Sequence, residues 1–192
     1  MSEKQQHNPR YRLKKTVVMV GMMGAGKTAV GRVLAEILEV PFLDSDAEIE
    51  TAANMSVQEI FSRDGEPFFR KKEAQVISRL LDSHQGILST GGGAYLAKAN
   101  RTVISNKGIA VWLDADLGLL WQRVRNKDTR PLLRTENPRQ TLSEIYDARV
   151  PIYAQSDLSV KANAKFSIEE MAERVITALK SRPDVLEELN HA

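Results

Sequence analysis

The residues whose chemistry is easiest to read are Gly21-Met22-Met23-Gly24-Ala25-Gly26-Lys27-Thr28, which fill every fixed position of G-x-x-x-x-G-K-[ST]. Glycines let the backbone turn tightly enough to aim amide N–H groups at phosphate oxygens. A helix opening at that point presents its positive end to the same phosphates. Lys27 then acts as a point charge between the β- and γ-phosphates, and the Thr28 hydroxyl suits Mg²⁺. A second pattern overlaps the first: Gly24 to Ala29 also fits the dinucleotide signature G-x-G-x-x-[GA], and Asp44 or Asp46 stands near its acidic position. The Lys-Thr pair and the longer loop favour a nucleoside triphosphate. The guanine motif N-K-x-D fails, because Asn126-Lys127-Asp128 brings its acid one place early.

A second set of residues could serve an acceptor. Asp44 and Asp46 leave a short apolar run two positions apart. There they can divide the labour, one supporting Mg²⁺ through water and one accepting a proton from an attacking hydroxyl. The alternative is an ordinary acidic pair at a helix start. Arg70 and Arg149 are each explained by a solvated face or a helix end. Together they offer two planar forks for a carboxylate. Gly91-Gly92-Gly93 follows an apolar run and permits close backbone approach to a ligand. Arg130 stands in a basic, breaker-rich segment that could fold over a transferring phosphoryl group.

Composition narrows the chemistry further. The 192 residues contain no Cys and only three His, so thiolate, Fe–S and His-rich metal chemistry are excluded or unsupported. Charge is nearly balanced at +2, which gives no overall nucleic-acid footprint. Residues 121–139 hold six Lys+Arg against two acids, so a nucleic-acid-binding NTPase module is the rival from another class. That segment lacks interleaved aromatics for stacking on bases. Phosphoryl transfer, which needs positioning and charge, fits the remaining residue types.

These groups need a scaffold. Apolar runs at Thr16–Val20, Val40–Leu43, Ile87–Ser89, Ile109–Leu113 and Leu158–Val160 read as five short strands. Helical patterns follow at about 30–39, 45–84 with a break at Gly65-Glu66-Pro67, 116–125, 140–154 and 167–180. Ser45/Glu48, Ser56/Glu59, Thr141/Glu144 and Ser167/Glu170 match capping boxes. Alternating strands and helices predict an α/β, three-layer P-loop NTPase fold, with a five-stranded parallel sheet and helices on both faces. A single P-loop domain is expected over 16–182, with a mobile lid at about 126–140. Tails are expected at 1–15 (mobile) and 183–192 (a loosely docked helix). Ligands in such folds sit at the carboxyl ends of the strands, where the glycine loop, the acidic pair and the triple glycine would meet.

Taken together these segments resemble shikimate kinase, a P-loop kinase of the nucleoside monophosphate kinase fold. The resemblance runs from about Thr16 to Ala178. It rests on Gly21–Thr28, Phe42-Leu43-Asp44-Ser45-Asp46, Gly65-Glu66-Pro67-Phe68-Phe69-Arg70, Thr90–Ala94, Arg130-Pro131-Leu132-Leu133 and Arg149-Val150-Pro151-Ile152-Tyr153. It implies ATP-dependent phosphorylation of the shikimate 3-hydroxyl in aromatic amino-acid biosynthesis, with ATP and Mg²⁺. By resemblance Asp46 holds the shikimate hydroxyls and acts as base or orienter. Arg70 and Arg149 grip the carboxylate, and Gly91, Gly92 and Gly93 line the substrate, Gly92 through its backbone. Gly24, Ala25, Gly26, Lys27, Thr28 and Ala29 contact ATP, as do Arg123, Arg130 and Lys165; Arg130 is the lid arginine. Thr28 and Asp44 serve the metal. Ala29 departs from the Thr that members commonly carry. A gluconate or nucleoside monophosphate kinase is the alternative enzyme. The polar stretch Met1–Lys15 has no apolar core region, so no secretory signal is expected. A cytoplasmic monomer without nucleic-acid or membrane partners is the expectation.

Overall fold

The computed structural model describes residues 9–127 and 130–190. The chain runs β1 (Tyr11–Leu13), β2 (Thr16–Val20), α1 (Lys27–Leu38), β3 (Phe42–Asp44), α2 (Ser45–Ala53) and α3 (Val57–Ser83). It continues with β4 (Ile87–Ser89), α4 (Lys98–Lys107), β5 (Gly108–Asp114), α5 (Leu117–Val124) and α6 (Pro138–Tyr153). It closes with β6 (Leu158–Lys161), α7 (Ile168–Leu179) and β7 (Leu186–Glu188). Five strands form one parallel sheet in the order β3-β4-β2-β5-β6. Among the described residues no helix is long and apolar enough to cross a membrane.

The order of the strands follows from burial. All five residues of β2 are buried, which suits the β-branched run of a central strand covered on both faces. Pro41 cannot donate to a ladder and precedes β3, which lies at the sheet edge. Right-handed crossovers then place the helices. Only the β2-to-β3 connection runs toward the β3 edge, so α1 covers one face, where α7 packs on it. The connections β3 to β4, β4 to β5 and β5 to β6 all run the other way. They send α3, α4 and the α5–α6 pair to the opposite face, where α3 packs on α4.

Several expectations shift. Residues 98–107 were not expected to be helical, yet they form α4, which buries only Asn100 and Ile104. Asp44, not Ser45, caps α2: its carboxylate accepts from the backbone N–H of Asp46 at 2.9 Å and of Ala47 at 3.2 Å. Helix α6 starts at Pro138 rather than Gln140, because Asn137 caps it and Pro138 occupies the first turn. The end of the expected lid is therefore helical, and its residues 128 and 129 lie outside the described residues. Ser56 with Glu59 and Ser167 with Glu170 form the expected capping boxes.

The chain ends also differ from the expected tails. Tyr11–Leu13 pairs antiparallel with Leu186–Glu188, so the segment after Pro183 contains a strand rather than a helix. Residues 1–8 of the expected N-terminal tail lie outside the described residues. Tyr11 is only 6% exposed, with the Lys180 ammonium 5.6 Å and the Arg10 guanidinium 5.1 Å from its ring. Ion pairs surround the ribbon, among them Arg12–Glu187 at 3.6 Å and Lys15–Asp184 at 3.1 Å. Exposed pairs of this kind contribute little to stability, whereas burying an aromatic ring contributes a great deal. Tyr11→Ala should thus lower unfolding stability by about 3 kcal/mol. Raising NaCl from 0.05 to 0.5 M should by comparison move the urea midpoint only slightly. A larger effect of salt than of the substitution would show that charge holds the ribbon.

Candidate active site

The sheet register brings the chemistry to one height. Asp44 sits opposite Ser89, and Ser89 opposite Met19, at the carboxyl ends of β3, β4 and β2. The glycine-rich loop leaves β2 and enters α1 through three glycines with positive φ, Gly21 (142°), Gly24 (80°) and Gly26 (94°). At Gly24 a Cβ would also fall 2.7 Å from Val124 Cγ1, so both backbone and space require glycine there. Thr28, in the first turn of α1, places its hydroxyl 3.3 Å from that of Ser89. Asp44, Ser89 and Thr28 thus offer oxygen donors from three neighbouring elements.

These elements wall a cavity of about 530 Å³. Of the residues expected to meet ligands, Gly24, Ala25, Gly26, Lys27, Thr28, Ala29, Asp44, Asp46, Gly91, Gly92, Arg123 and Arg130 line it. Lys27 is buried inside the loop, and its ammonium donates to the carbonyls of Gly21 (2.8 Å) and Met22 (2.9 Å). Burial holds its pKa down at about 8, and the nearby Arg130 guanidinium lowers it too, against the opposing pull of Asp46. Arg123 donates to the Gly24 carbonyl at 3.0 Å and braces the loop from α5.

Asp46 lies in the first turn of α2 with its carboxylate half enclosed. Burial pushes its pKa above the ordinary Asp range, and the neighbouring Asp44 and Glu50 carboxylates push the same way. Its Oδ1 and the Nε of Arg130 are buried without a hydrogen-bond partner. Buried polar atoms are nearly always paired, so orphans lining one cavity mark groups held for a ligand. Gly91 backs directly on Asp46: a Cβ there would sit 3.0 Å from Oδ1.

Arg70, Gly93 and Arg149 stand beside this cavity rather than in its wall, joined to it through Gly92. Helix α3 is kinked at Gly65, whose φ of 82° and ψ of 170° break the helix. Pro67 follows in the new limb, which buries Phe69 and carries Arg70 to Gly93; a Cβ on Gly93 would fall 2.8 Å from the guanidinium carbon. Arg149 on α6 approaches Gly92, where a Cβ would lie 3.2 Å from Nη1. The glycine run therefore threads past both guanidinium groups. Lys165 is the one expected site residue not brought in: it is exposed on the loop after β6, and its backbone N–H donates to Asn163 Oδ1 at 2.9 Å.

Two groups escaped the sequence reading. Glu73, only 1% exposed, accepts from Arg70 Nη1 at 2.8 Å, while burial pushes its own pKa up. Its place one turn after Arg70 was visible, but its burial was not. Phe166, Ile168 and Met171 form an apolar wall of the cavity, and Ile168 remains 46% exposed. An apolar residue directly after the Ser167 cap, at the start of α7, was the signal available.

A family model described as shikimate kinase matches residues 23–180. A shikimate kinase of Ruegeria pomeroyi is 66% identical over 175 residues, covering 91% of this chain and 90% of that protein. Among solved structures, a shikimate kinase from Acinetobacter baumannii in complex with shikimate superposes with a TM-score of 0.82 at 37% identity, covering 87% of this chain and 93% of that one. A gluconokinase from Sinorhizobium meliloti, covering 88% and 94%, reaches a TM-score of only 0.56 at 17% identity and shares the fold alone.

Proposed function

The chain belongs to the shikimate kinase family, and from that premise we propose how its cleft moves the γ-phosphoryl group of ATP to the 3-hydroxyl of shikimate. The carrying observation is the convergence of a phosphate loop, the half-enclosed Asp46 carboxylate and two guanidinium groups around one glycine run. The loop amides and Lys27 hold the phosphates. Arg123 and the apolar wall of Phe166, Ile168 and Met171 suit the purine ring. Asp46 faces the acceptor hydroxyl, whose proton it takes or orients. Arg70 and Arg149 hold the acceptor's carboxylate with charge-assisted forks.

The donor set of Thr28, Ser89 and Asp44 is all oxygen, which fits Mg²⁺. Bound there beside the phosphates, the ion would neutralise charge on the transferring group. Residues 126–140 supply a lid that brings Arg130 onto the phosphates. A monomeric, cytoplasmic enzyme is part of the same proposal.

The direct test compares ADP release with shikimate, gluconate and AMP as acceptors. Turnover with shikimate alone is expected; turnover only with gluconate or AMP would overturn the proposal. Gly93→Ala tests the acceptor geometry. Gly93 has φ −90°, which any residue adopts, so alanine brings no backbone strain. The added methyl instead displaces the Arg70 guanidinium. Shikimate KM should rise roughly 10- to 100-fold, as loss of a charged hydrogen bond implies, with ATP KM unchanged. An equal rise in both constants would place Arg70 elsewhere.

A further inference from the structure

Tyr153 is the last residue of α6 and is fully buried, with 0% exposure. A buried phenol must find a partner, and this one donates to the backbone carbonyl of Gly92. Its ring stacks on Trp112 of β5, with centroids 6.3 Å apart and planes at 29°. Arg149 lies four residues earlier, on the same face of α6, and its guanidinium sits beside the same phenol. Arg70, from α3, is the other charged group acting on that phenol. The sheet core therefore fixes the ring, and the ring fixes a carbonyl in the glycine run.

The geometry points to Tyr153 as a positioning residue for the acceptor, a role that rests on the shikimate-kinase reading above. The peptide joining Gly92 to Gly93 is trans, since the described chain has no cis peptide. Its carbonyl and its N–H point in opposite directions. Anchoring the carbonyl on Tyr153 thus sets the direction of the Gly93 N–H and the heights of Gly92 and Gly93 against Arg149 and Arg70. Without the hydroxyl the peptide could rotate, and both guanidinium groups would lose the surface they rest on. Gly92 also borders the phosphate loop, a Cβ there lying 3.9 Å from the Gly21 carbonyl oxygen and the Met23 nitrogen, but the guanidinium groups stand closer, so the larger influence falls on the acceptor.

Tyr153→Phe removes one oxygen and leaves the ring in place. Shikimate KM should rise about tenfold, with ATP KM within about twofold of the parent value. A purely structural role would lower the melting temperature without separating the two constants, and that outcome overturns the inference. If the phenylalanine variant fails to fold, 4-aminophenylalanine at position 153 fills the same space with a weaker donor. It should raise shikimate KM about threefold, and an unchanged KM would overturn the inference as well. The parent enzyme is assayed alongside. Absence of shikimate turnover in the parent overturns the functional reading itself, whereas normal parent turnover with unaltered variants removes only the role of Tyr153.

Discussion

Asp46→Asn lowers kcat for shikimate phosphorylation by about 10³-fold while leaving ATP KM nearly unchanged, and it makes the protein more stable at neutral pH. The two effects share one cause. The Asp46 carboxylate is withdrawn from water and stands near Asp44 and Glu50, so its pKa in the folded state lies above the ordinary Asp value. Above that ordinary value and below the raised one, the folded chain keeps a proton that the unfolded chain has released. The group's contribution to stability is therefore complete below the ordinary Asp range and is lost as pH rises through the folded pKa. Above the ordinary Asp range the buried carboxyl group opposes folding, and the neutral amide relieves it by about 1 kcal/mol, as substitutions at strained functional sites often do. Thermal melts at pH 7.5 should place the variant above the parent, with the gap closing as pH falls toward 4. A variant less stable at pH 7.5 would show that Asp46 is satisfied inside the fold. An ATP KM raised tenfold would assign it to the nucleotide.

The second large effect is expected at Arg130. Its Nε is buried at the cavity without a partner, and its charge faces Lys27. Folded over the phosphates it should be worth about 10³-fold or more in kcat, the scale of an arginine on a transferring phosphoryl group. Arg130→Ala also carries a signature in pH. Lys27 must be charged to hold phosphates, and burial followed by the Arg130 charge holds its pKa near 8. In the free enzyme kcat/KM for ATP should fall as pH rises through about 8, because that ratio reports free-enzyme groups. Removing Arg130 takes away one of the causes of the depression, so the alkaline limb should move upward while the rate falls. A limb that stays in place would mean that the two cations do not sense each other. A kcat reduced less than tenfold would take Arg130 off the phosphates.

How much of this was legible depended on distance along the chain. The phosphate loop is written in eight consecutive residues, and the capping boxes at Ser56 and Ser167 in four each, so local geometry reveals them. Ser45 misled because the better cap, Asp44, is the last residue of β3 and precedes the helix by one position. Helix α4 was opaque: Lys98-Ala99-Asn100-Arg101 is polar, Ala97 offers no side-chain cap, and only Asn100 and Ile104 are fully buried, with Val103 partly packed on the core. The acceptor site was half visible. Arg70 and Arg149 are conspicuous only in pairs, and what unites them is a glycine run from a third element. Glu73 and Tyr153 act through burial, which no spacing encodes. Lys165 lay near the cavity in sequence, but its loop turns it outward.

The paired ends of the chain impose an order on synthesis. Tyr11 is made long before its partner Glu188 in the same chain. At 5–20 residues per second that interval is roughly 10–40 s, during which β1 can meet α1 but has no β7 to pair with. Helix α7 is made just before β7, and it supplies Ile168 and Met171 to the cavity wall. A nascent chain can therefore hold a finished phosphate loop and still lack one side of the chamber around it. The chamber gains that side only once α7 has been made, after the last of the five sheet strands.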